Sequence, residues 1–183
     1  MTKIVVVGGF MSGKEYNKGD VWSDGNAFNF RKALRAAGIS PSECFFTNVF
    51  NMRPPGRYTS EAFFGPAKKN RTPLKPLKKG KYLIEEFYPE LIRLWKQIEH
   101  HNPNLVIACG DLALWATCSG TNTIDTARGR ITEGNSAISR RKVLPVYSPQ
   151  QVQQNGTFGV IQRIDLRKAE RECASPEFSR PQR

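Results

Sequence analysis

The chain has 183 residues, of which 39% are hydrophobic, and 28 lysines and arginines stand against 16 aspartates and glutamates. This length allows one domain with a real core and excludes two of ordinary size. The net charge of +12 favours a polyanionic partner, most often a nucleic acid, over the simpler alternative that charge only keeps the protein soluble.

The cysteines lie far apart, without a C-x-x-C pair, at Cys44, Cys109, Cys118 and Cys173. This spacing predicts neither a zinc site nor a disulfide framework, and it favours free thiols in a reducing compartment. The first apolar run is too short for a signal peptide, and no stretch approaches a membrane span. We therefore expect a soluble, cytoplasmic protein that does not interact with a membrane.

Hydrophobic periodicity predicts strands and helices that alternate along the chain. The predicted strands are short apolar runs at 3–7, 45–50, within 103–109 and at 143–148. The predicted helices span 27–37, 82–101, 112–118 (capped by Asp111) and 158–172. A polar, glycine-rich loop follows the first strand as far as about residue 25, and it is expected to contain no helix.

This alternation predicts an α/β fold, a three-layer α/β/α sandwich with a central, mostly parallel four-stranded sheet. Ligands bind such sheets outside the carboxyl ends of the strands. One rim should therefore bring together 8–25, the segment after Asn48, 110–111 and 148–151. We predict one domain over residues 1–173, with a basic irregular insertion at about 57–81 and a disordered tail at 174–183.

The loop after the first strand has the spacing of a phosphate-binding loop, with Gly8, Gly13 and Lys14 as G-x-x-x-x-G-K. Such a loop needs a Ser or Thr next, to hold magnesium, and a helix that begins there. Here Glu15 follows, and "EYNKGD" argues against a helix beginning at Lys14. A nucleotide kinase is therefore the least favoured functional hypothesis.

A second match covers much more of the chain, in the order "VGGFMSGKEYNKGDVW", "FFTNVFNMRPPG", "LIRLWKQIEHHNPNLVIACGDLALWA", "ARGRI" and "LPVYSPQQV". Together these stretches resemble the uracil-DNA glycosylase superfamily, particularly its bacterial and archaeal iron–sulfur branches, over about residues 3–172. The resemblance implies a glycosylase-like fold and DNA as the partner. It also implies an enzyme that flips uracil or a modified pyrimidine out of DNA and releases it by hydrolysis.

The resemblance also implies roles for particular residues in a base-binding pocket. Trp22 matches the aromatic that stacks on the base, and Asn48 matches the residue that reads its edge. A carboxamide offers both a donor and an acceptor, which suits an imide edge such as that of uracil. Gly8, Gly9 and Phe10 should form the pocket wall.

Several positions depart from the family pattern. Gly9 and Phe10 occupy places where members carry a residue that positions water. One branch of the family also lacks a polar residue there and resembles "GDVWSDG" in carrying an Asp just beyond the aromatic, which implies the water-positioning role for Asp24, with Asp20 in reserve. Ser148 stands where most members have a histidine that stabilises the departing base, and it is our second catalytic candidate. The neighbouring side chains of Gln150 and Gln151 should approach the gap left by the flipped base.

The cysteines of the iron–sulfur branches are missing, so we expect no cluster, no metal and no other cofactor. The segment 66–82 is rich in lysine and arginine and has no acidic residue. It suits an extended arm that contacts DNA phosphates without reading sequence. The predicted contacts are Lys68, Lys69, Arg71, Lys75, Lys78 and Lys79.

Two functional hypotheses follow from the altered motifs. The first is a DNA N-glycosylase with atypical catalytic residues. The second is a module of the same fold that has lost catalysis and binds DNA or a partner protein. The changes at Gly9, Phe10 and Ser148 favour the second hypothesis, whereas the intact Asn48 favours the first.

Overall fold

The computed structural model describes residues 3–56, 59–67, 72–118 and 123–178. The strands are β1 (Ile4–Phe10), β2 (Cys44–Phe50), β3 (Phe64–Gly65), β4 (Tyr82–Leu83), β5 (Leu105–Cys109), β6 (Thr132–Glu133) and β7 (Lys142–Val146). The α-helices are α1 (Gly13–Lys18), α2 (Gly25–Ala36), α3 (Tyr88–His101), α4 (Asp111–Thr117), α5 (Ile124–Ala127), α6 (Pro149–Gln154) and α7 (Thr157–Glu172). Short 3₁₀ turns lie at Pro41–Glu43, Ser60–Phe63, Glu85–Phe87 and Ser136–Ile138.

The central sheet has five strands in the order β2-β1-β5-β7-β6. The first four are parallel, and β6 runs antiparallel to β7 at the edge. The predicted mostly parallel α/β sheet is confirmed, but the predicted number of four strands is wrong. The two-residue β6 has no apolar run to reveal it, because an edge strand of this length is defined only by its pairing with β7.

The strands of the sheet are buried on both faces, which produces the continuous apolar run of β1. Val5 and Val7 pack into the core beneath α3 and α4, whereas Ile4 and Val6 pack into the core beneath α2 and α7. The helices therefore form two layers around the sheet. In the part of the chain that the structure describes, no helix combines the length and apolar character needed to span a membrane.

Helix α3 begins later than predicted. The segment Tyr82–Leu83 is a strand and Glu85–Phe87 is a 3₁₀ turn, so the α-helix covers only the second part of the predicted 82–101. Pro89 lies in its first turn, where the missing amide N–H costs no hydrogen bond. Leu83 and Phe87, two of the apolar positions whose spacing predicted the longer helix, are buried, although neither is in the helix.

The loop after β1 contains a helix that the sequence analysis did not expect. Helix α1 begins at Gly13 behind a capping box, in which the Ser12 side chain accepts from Glu15 N and the Glu15 side chain accepts from Ser12 N. The prediction that no helix begins near Lys14 is therefore wrong. This reciprocal pairing satisfies two amide donors and outweighs the weak helix propensity of "EYNKG".

The predicted cap of α4 is also different. Gly110 is the N-cap residue and makes no side-chain hydrogen bond, and Asp111 is the first residue of the helix. The Asp111 carboxylate instead accepts from Ile124 N at 2.7 Å. Asp111 thus links α4 to the start of α5 instead of capping its own helix.

An aromatic cluster joins the segment before α3 to the sheet. The rings of Phe50 and Phe63 stack at 3.9 Å, and Phe87 meets Phe63 edge-on at 5.0 Å. All three side chains are buried. Residues 60–65 and 82–87 are therefore anchored in the core, although they flank or lie within the predicted irregular insertion.

Removing one ring of this cluster should destabilise the protein. We expect Phe63→Ala to lower the free energy of unfolding by about 3–5 kcal/mol, because Phe63 is 0% exposed and a cavity would remain. Chemical denaturation measures this value. The control is Phe28→Ala, at a side chain that is 55% exposed, which should change it by less than about 0.5 kcal/mol. Equal effects would contradict the buried position of Phe63.

Candidate functional site

A small pocket lies at the carboxyl ends of β1 and β2, against the starts of α2 and α6. Residues from five separate stretches of the chain line it, and they include all five residues predicted for base binding, one predicted catalytic residue and one predicted DNA contact. These are Gly8, Gly9, Phe10, Trp22 and Asn48, with Asp24 and Gln150. The structure thus brings the predicted carboxamide, indole and loop carboxylate together at one edge of the sheet.

The pocket is built around a close approach between β1 and β2. Gly8 and Asn48 are register partners in the two parallel strands. A Cβ atom on Gly8 would overlap Asn48 Oδ1 and lie 2.9 Å from Trp22 Cζ2, which is closer than real Cβ contacts. The absence of a side chain at Gly8 is therefore what allows the carboxamide and the indole to lie over the end of β1.

Asn48 carries an unpaired hydrogen-bond donor. The residue is only 3% exposed, and its Nδ2 atom is buried without a hydrogen-bond partner among the described residues. A buried polar group left unpaired costs on the order of 1–3 kcal/mol. Folding alone disfavours such unpaired groups, so a functional role is the natural explanation for one that is present. A ligand with an acceptor in the pocket would satisfy this donor.

The backbone of β2 around Asn48 is held by Arg93 of α3. One guanidinium nitrogen of Arg93 donates to Asn48 O at 2.8 Å and to Val49 O at 3.1 Å. The other terminal nitrogen donates to Thr47 Oγ1 at 3.1 Å, and Nε donates to Glu90 Oε2 at 3.1 Å. The planar guanidinium group therefore holds three consecutive residues of β2, Thr47, Asn48 and Val49, and so fixes the backbone that carries the Asn48 side chain.

Sequence reasoning missed Arg93. Glu90 and Arg93 are three residues apart on a helix, and such a pair is normally read as an exposed ion pair. No pattern in the sequence indicates that the guanidinium faces β2. Only the packing of α3 against the sheet reveals this contact.

Trp22 is a packed wall of the pocket. Its side chain is 4% exposed, its ring lies 5.4 Å from those of Phe30 and Phe46, and Nε1 donates to Thr47 O at 2.9 Å. The backbone has φ +57°, a conformation that bulky residues rarely adopt, and Arg31 donates to its carbonyl at 2.6 Å. The indole is therefore rigidly positioned, and its stacking on a base stays a prediction.

Two carboxylates line the pocket. Asp24 caps α2 by accepting from Ala27 N at 2.9 Å, and it makes no hydrogen bond through Oδ2 within the described part of the chain. Glu15 is 5% exposed and accepts from Ser12 N at 2.7 Å. Asp20, the reserve candidate, is exposed and does not line the pocket. Sequence reasoning missed Glu15, although the Ser12-x-x-Glu15 pattern of a capping box was visible.

Ser148 lies beside the pocket and does not line it. It caps α6 through a capping box, in which Oγ accepts from Gln151 N at 3.2 Å and Ser148 N donates to Gln151 Oε1 at 2.9 Å. Gly110 lies against it, since a Cβ there would be 3.2 Å from Ser148 Cβ. Of the predicted pair, Gln150 reaches the pocket and Gln151 is engaged in the cap.

The pocket is narrow in this structure. Its cavity volume is about 20 Å³, which holds roughly one water molecule. Pro149 and Gln150 form one wall, and Asp24 and Asn26 form another. A pyrimidine ring therefore enters only if these walls separate.

The cysteines do not form a metal site. Cys109 and Cys118 are buried and Cys44 and Cys173 are half-buried, all as free thiols. Burial raises the pKa of Cys44 to about 12 and that of Cys118 to about 11, so these thiols stay protonated at neutral pH. Throughout residues 3–56, 59–67, 72–118 and 123–178, no group of three or more His, Cys, Asp or Glu side chains is placed to hold a metal. An iron–sulfur cluster does not fit these residues.

The predicted DNA-binding arm is only partly described. Lys68, Lys69 and Arg71 lie outside the described residues, whereas Lys75, Lys78 and Lys79 are described and exposed. The Trp115 indole of α4 donates to Lys75 O at 2.9 Å, which holds this part of the arm against the α3–α4 layer. Phosphate binding by the arm stays a prediction.

The close approach at Gly8 can be tested by adding one methyl group. We expect Gly8→Ala to lower the free energy of unfolding by about 1–3 kcal/mol, because Asn48 or Trp22 must move. Thermal and urea denaturation measure this change. Gly9→Ala is the matched control, because its Cβ would meet Leu112 Cδ2 at an ordinary 3.6 Å. Similar stability of the two variants would contradict the close approach.

The role of Arg93 can be tested by a substitution that keeps its charge. We expect Arg93→Lys to lower the free energy of unfolding by about 1.5–3 kcal/mol, because the single ammonium nitrogen of a lysine cannot replace the five contacts that three guanidinium nitrogens make with Thr47, Asn48, Val49, Glu90 and Gln97. The side-chain amide signals of Asn48 should shift in ¹H–¹⁵N NMR spectra. Arg140→Lys, at an exposed ion pair with Glu133, should change stability by less than about 0.5 kcal/mol. Unchanged Asn48 signals in Arg93→Lys would refute the positioning role.

Comparison with protein-family models agrees with this architecture. The chain matches the model described as the Uracil DNA glycosylase superfamily over residues 1–168, which is nearly its whole length. It has no significant match among curated protein sequences. The match includes every strand of the central sheet and each pocket residue named above. The chain therefore belongs to the uracil-DNA glycosylase superfamily.

Proposed function

We propose that this protein is a DNA N-glycosylase that takes uracil or a modified pyrimidine out of the helix and releases it by hydrolysis. Membership of the superfamily supports a DNA glycosylase type of function. The proposal that the substrate is a pyrimidine base rests on one observation, the buried and unpaired Nδ2 donor of Asn48 in a pocket at the rim of the sheet. A base that leaves the stack can supply the missing acceptor.

Asn48 is the residue proposed to read the base. Its Nδ2 would donate to a carbonyl oxygen of the pyrimidine, and its Oδ1 would accept from the ring N–H of an imide edge. A base without that N–H would leave a buried acceptor unpaired, which is the usual source of strong discrimination. The hydrogen bonds from Arg93 to the carbonyls of Asn48 and Val49 support this role, because they hold the backbone that carries the Asn48 side chain.

Asp24 is proposed to position the attacking water. It lines the same pocket, and Oδ2 is free to accept from a water while the other oxygen caps α2. The water would attack the sugar carbon and pass its proton to the Asp24 carboxylate, and the electrons of the glycosidic bond would leave with the base, which departs as an anion. Ser148 is proposed to stabilise this anion by a hydrogen bond from its hydroxyl group, because its cap uses the oxygen only as an acceptor.

The narrow pocket sets a condition for this chemistry. With room for roughly one water, it admits a base only after α6 and the start of α2 move apart. The Asn26 side chain donates to Gln153 Oε1 at 3.1 Å across these two elements, at an exposed position. An exposed hydrogen bond of this kind adds little stability, so it presents a small barrier to opening.

A second candidate function is a DNA- or protein-binding module without catalysis. Gly9 and Phe10 offer no side chain that could position water, and Ser148 lies outside the pocket lining. Both features favour this reading. The nucleotide kinase loses support, although α1 does begin at Gly13. The Ser12 amide already donates its hydrogen bond to the Glu15 side chain. The family model that the chain matches is that of the uracil-DNA glycosylases and not that of a kinase.

Base release distinguishes these candidates. Oligonucleotides with one uracil or one 5-substituted pyrimidine, single-stranded and in duplex, are incubated with the protein, and the free base is measured by mass spectrometry. We expect release from at least one substrate, and Asn48→Ala should reduce it by at least about a hundredfold. Asn102→Gly removes an exposed carboxamide at the left-handed end of α3 and should leave release unchanged.

The opposite outcomes are equally clear. Release that survives Asn48→Ala would show that Asn48 does not read the base. Tight binding of these oligonucleotides without release from any of them would favour the binding module.

A further inference from the structure

A larger groove opens beside the pocket, between α2 and the pair formed by α6 and α7. Its cavity volume is about 1130 Å³. Asp24, Asn26 and Pro149 line both the groove and the small pocket. A ligand that lies in the groove can therefore continue directly into the pocket.

The groove is strongly basic. Lys14, Lys32, Arg53 and Arg163 line it, whereas Asp24 supplies its only carboxylate among the described lining residues. Within the described part of the chain, Lys14, Lys32 and Arg163 form no ion pair. No carboxylate of the described residues therefore pairs with these three cations, although the Lys32 ammonium lies 4.7 Å from the centre of the Phe28 ring.

A second cavity differs from the groove because a carboxylate in its own lining pairs with one of its cations. The cavity beside β6 is also lined by arginines, Arg130 and Arg140, but Arg140 pairs with Glu133 at 3.4 Å. An internal partner of this kind reduces the attraction for an external anion. The groove beside α2 lacks such a partner for three of its cations.

Carboxamides complete the walls of the groove. Asn17, Asn29 and Gln153 line it alongside the cations. Carboxamides and basic side chains together are the groups that most often contact phosphate and sugar oxygens in protein–DNA complexes. The lining thus suits a chain of phosphates more than an apolar ligand.

We propose that this groove binds the sugar–phosphate backbone of the DNA strand that carries the base in the pocket. Lys14, Lys32 and Arg163 contact its phosphates, and the strand passes Asn26 to reach Asn48. The identity of the strand rests on the proposed function, whereas the phosphate contacts rest on the charge of the groove. Lys14 thereby has a role, although the motif in which it lies is not a kinase loop.

The groove is separate from the predicted basic arm. The arm is held to α4, whose residues pack on the opposite face of the sheet from those of α2 and α7. The two basic surfaces can therefore be neutralised independently. If both contact DNA, their effects on affinity should add, because the two surfaces lie on opposite faces of the sheet and do not contact each other.

The test is the salt dependence of DNA binding. The groove variant combines Lys14→Gln, Lys32→Gln and Arg163→Gln, and the control combines Lys96→Gln, Arg130→Gln and Arg171→Gln, which removes the same charge at exposed positions elsewhere. The probe is a fluorescent oligonucleotide with one uracil, and anisotropy gives Kd at several KCl concentrations. Each lost phosphate contact should reduce the slope of log Kd against log salt by about 0.7–0.9.

We expect the groove variant to lose about two to three units of slope and the control less than about one. Equal losses in the two variants would overturn the proposal, because only net charge would then matter. Competition with dUMP gives a second readout, since a groove that binds the mononucleotide as tightly as the oligonucleotide is not a strand site. If the triple variant does not fold by circular dichroism, its three single variants are measured instead.

The outcome separates this proposal from the proposed function. An unchanged slope in the groove variant, with base release by the wild-type protein, refutes the groove alone. A selective loss of slope without base release by the wild-type protein supports the groove and refutes the glycosylase.

Discussion

The candidate site depends on one steric constraint, the absence of a side chain at Gly8. Because β1 and β2 run in parallel register, the end of β1 lies directly beside Asn48. Any Cβ on Gly8 would displace the Asn48 carboxamide or the Trp22 ring. Glycine at position 8 is therefore a packing requirement of the neighbouring strand, and its place in the spacing of a phosphate-binding loop is incidental.

The residues around this contact are held in arrangements that folding alone does not favour. Asn48 has an unpaired buried donor, and Trp22 has a left-handed backbone. Arg93 and Arg31 offset these costs through hydrogen bonds to the carbonyls of β2 and of Trp22. Strain that is held in place by surrounding hydrogen bonds is typical of functional sites. The pocket is thus held most firmly on the β2 side, and its other walls are formed by the starts of α2 and α6.

Strands and helices were predicted correctly where the hydrophobic pattern of the local sequence agrees with the burial of its residues. Short apolar runs identified the central strands, because strands buried on both faces are mostly apolar. Where a single partner decides the structure, prediction failed: β6 exists only through β7, and α1 depends on the reciprocal bonds of Ser12 and Glu15. Arg93 was missed for the same reason, since its role is defined by carbonyls that lie 44 and 45 residues away.

By itself, the sequence determined the four parallel strands, the main helices between them, the superfamily and the chemical types present at the rim of the sheet. The tertiary structure alone decided which of them meet: Asn48, Trp22 and Asp24 converge, whereas Ser148 is turned into the cap of α6. It also decided that Lys14 and Arg163, far apart in sequence, line one groove. The physical reason is that propensity and periodicity act over a few residues. The direction of a side chain, by contrast, depends on packing between segments that are distant along the chain.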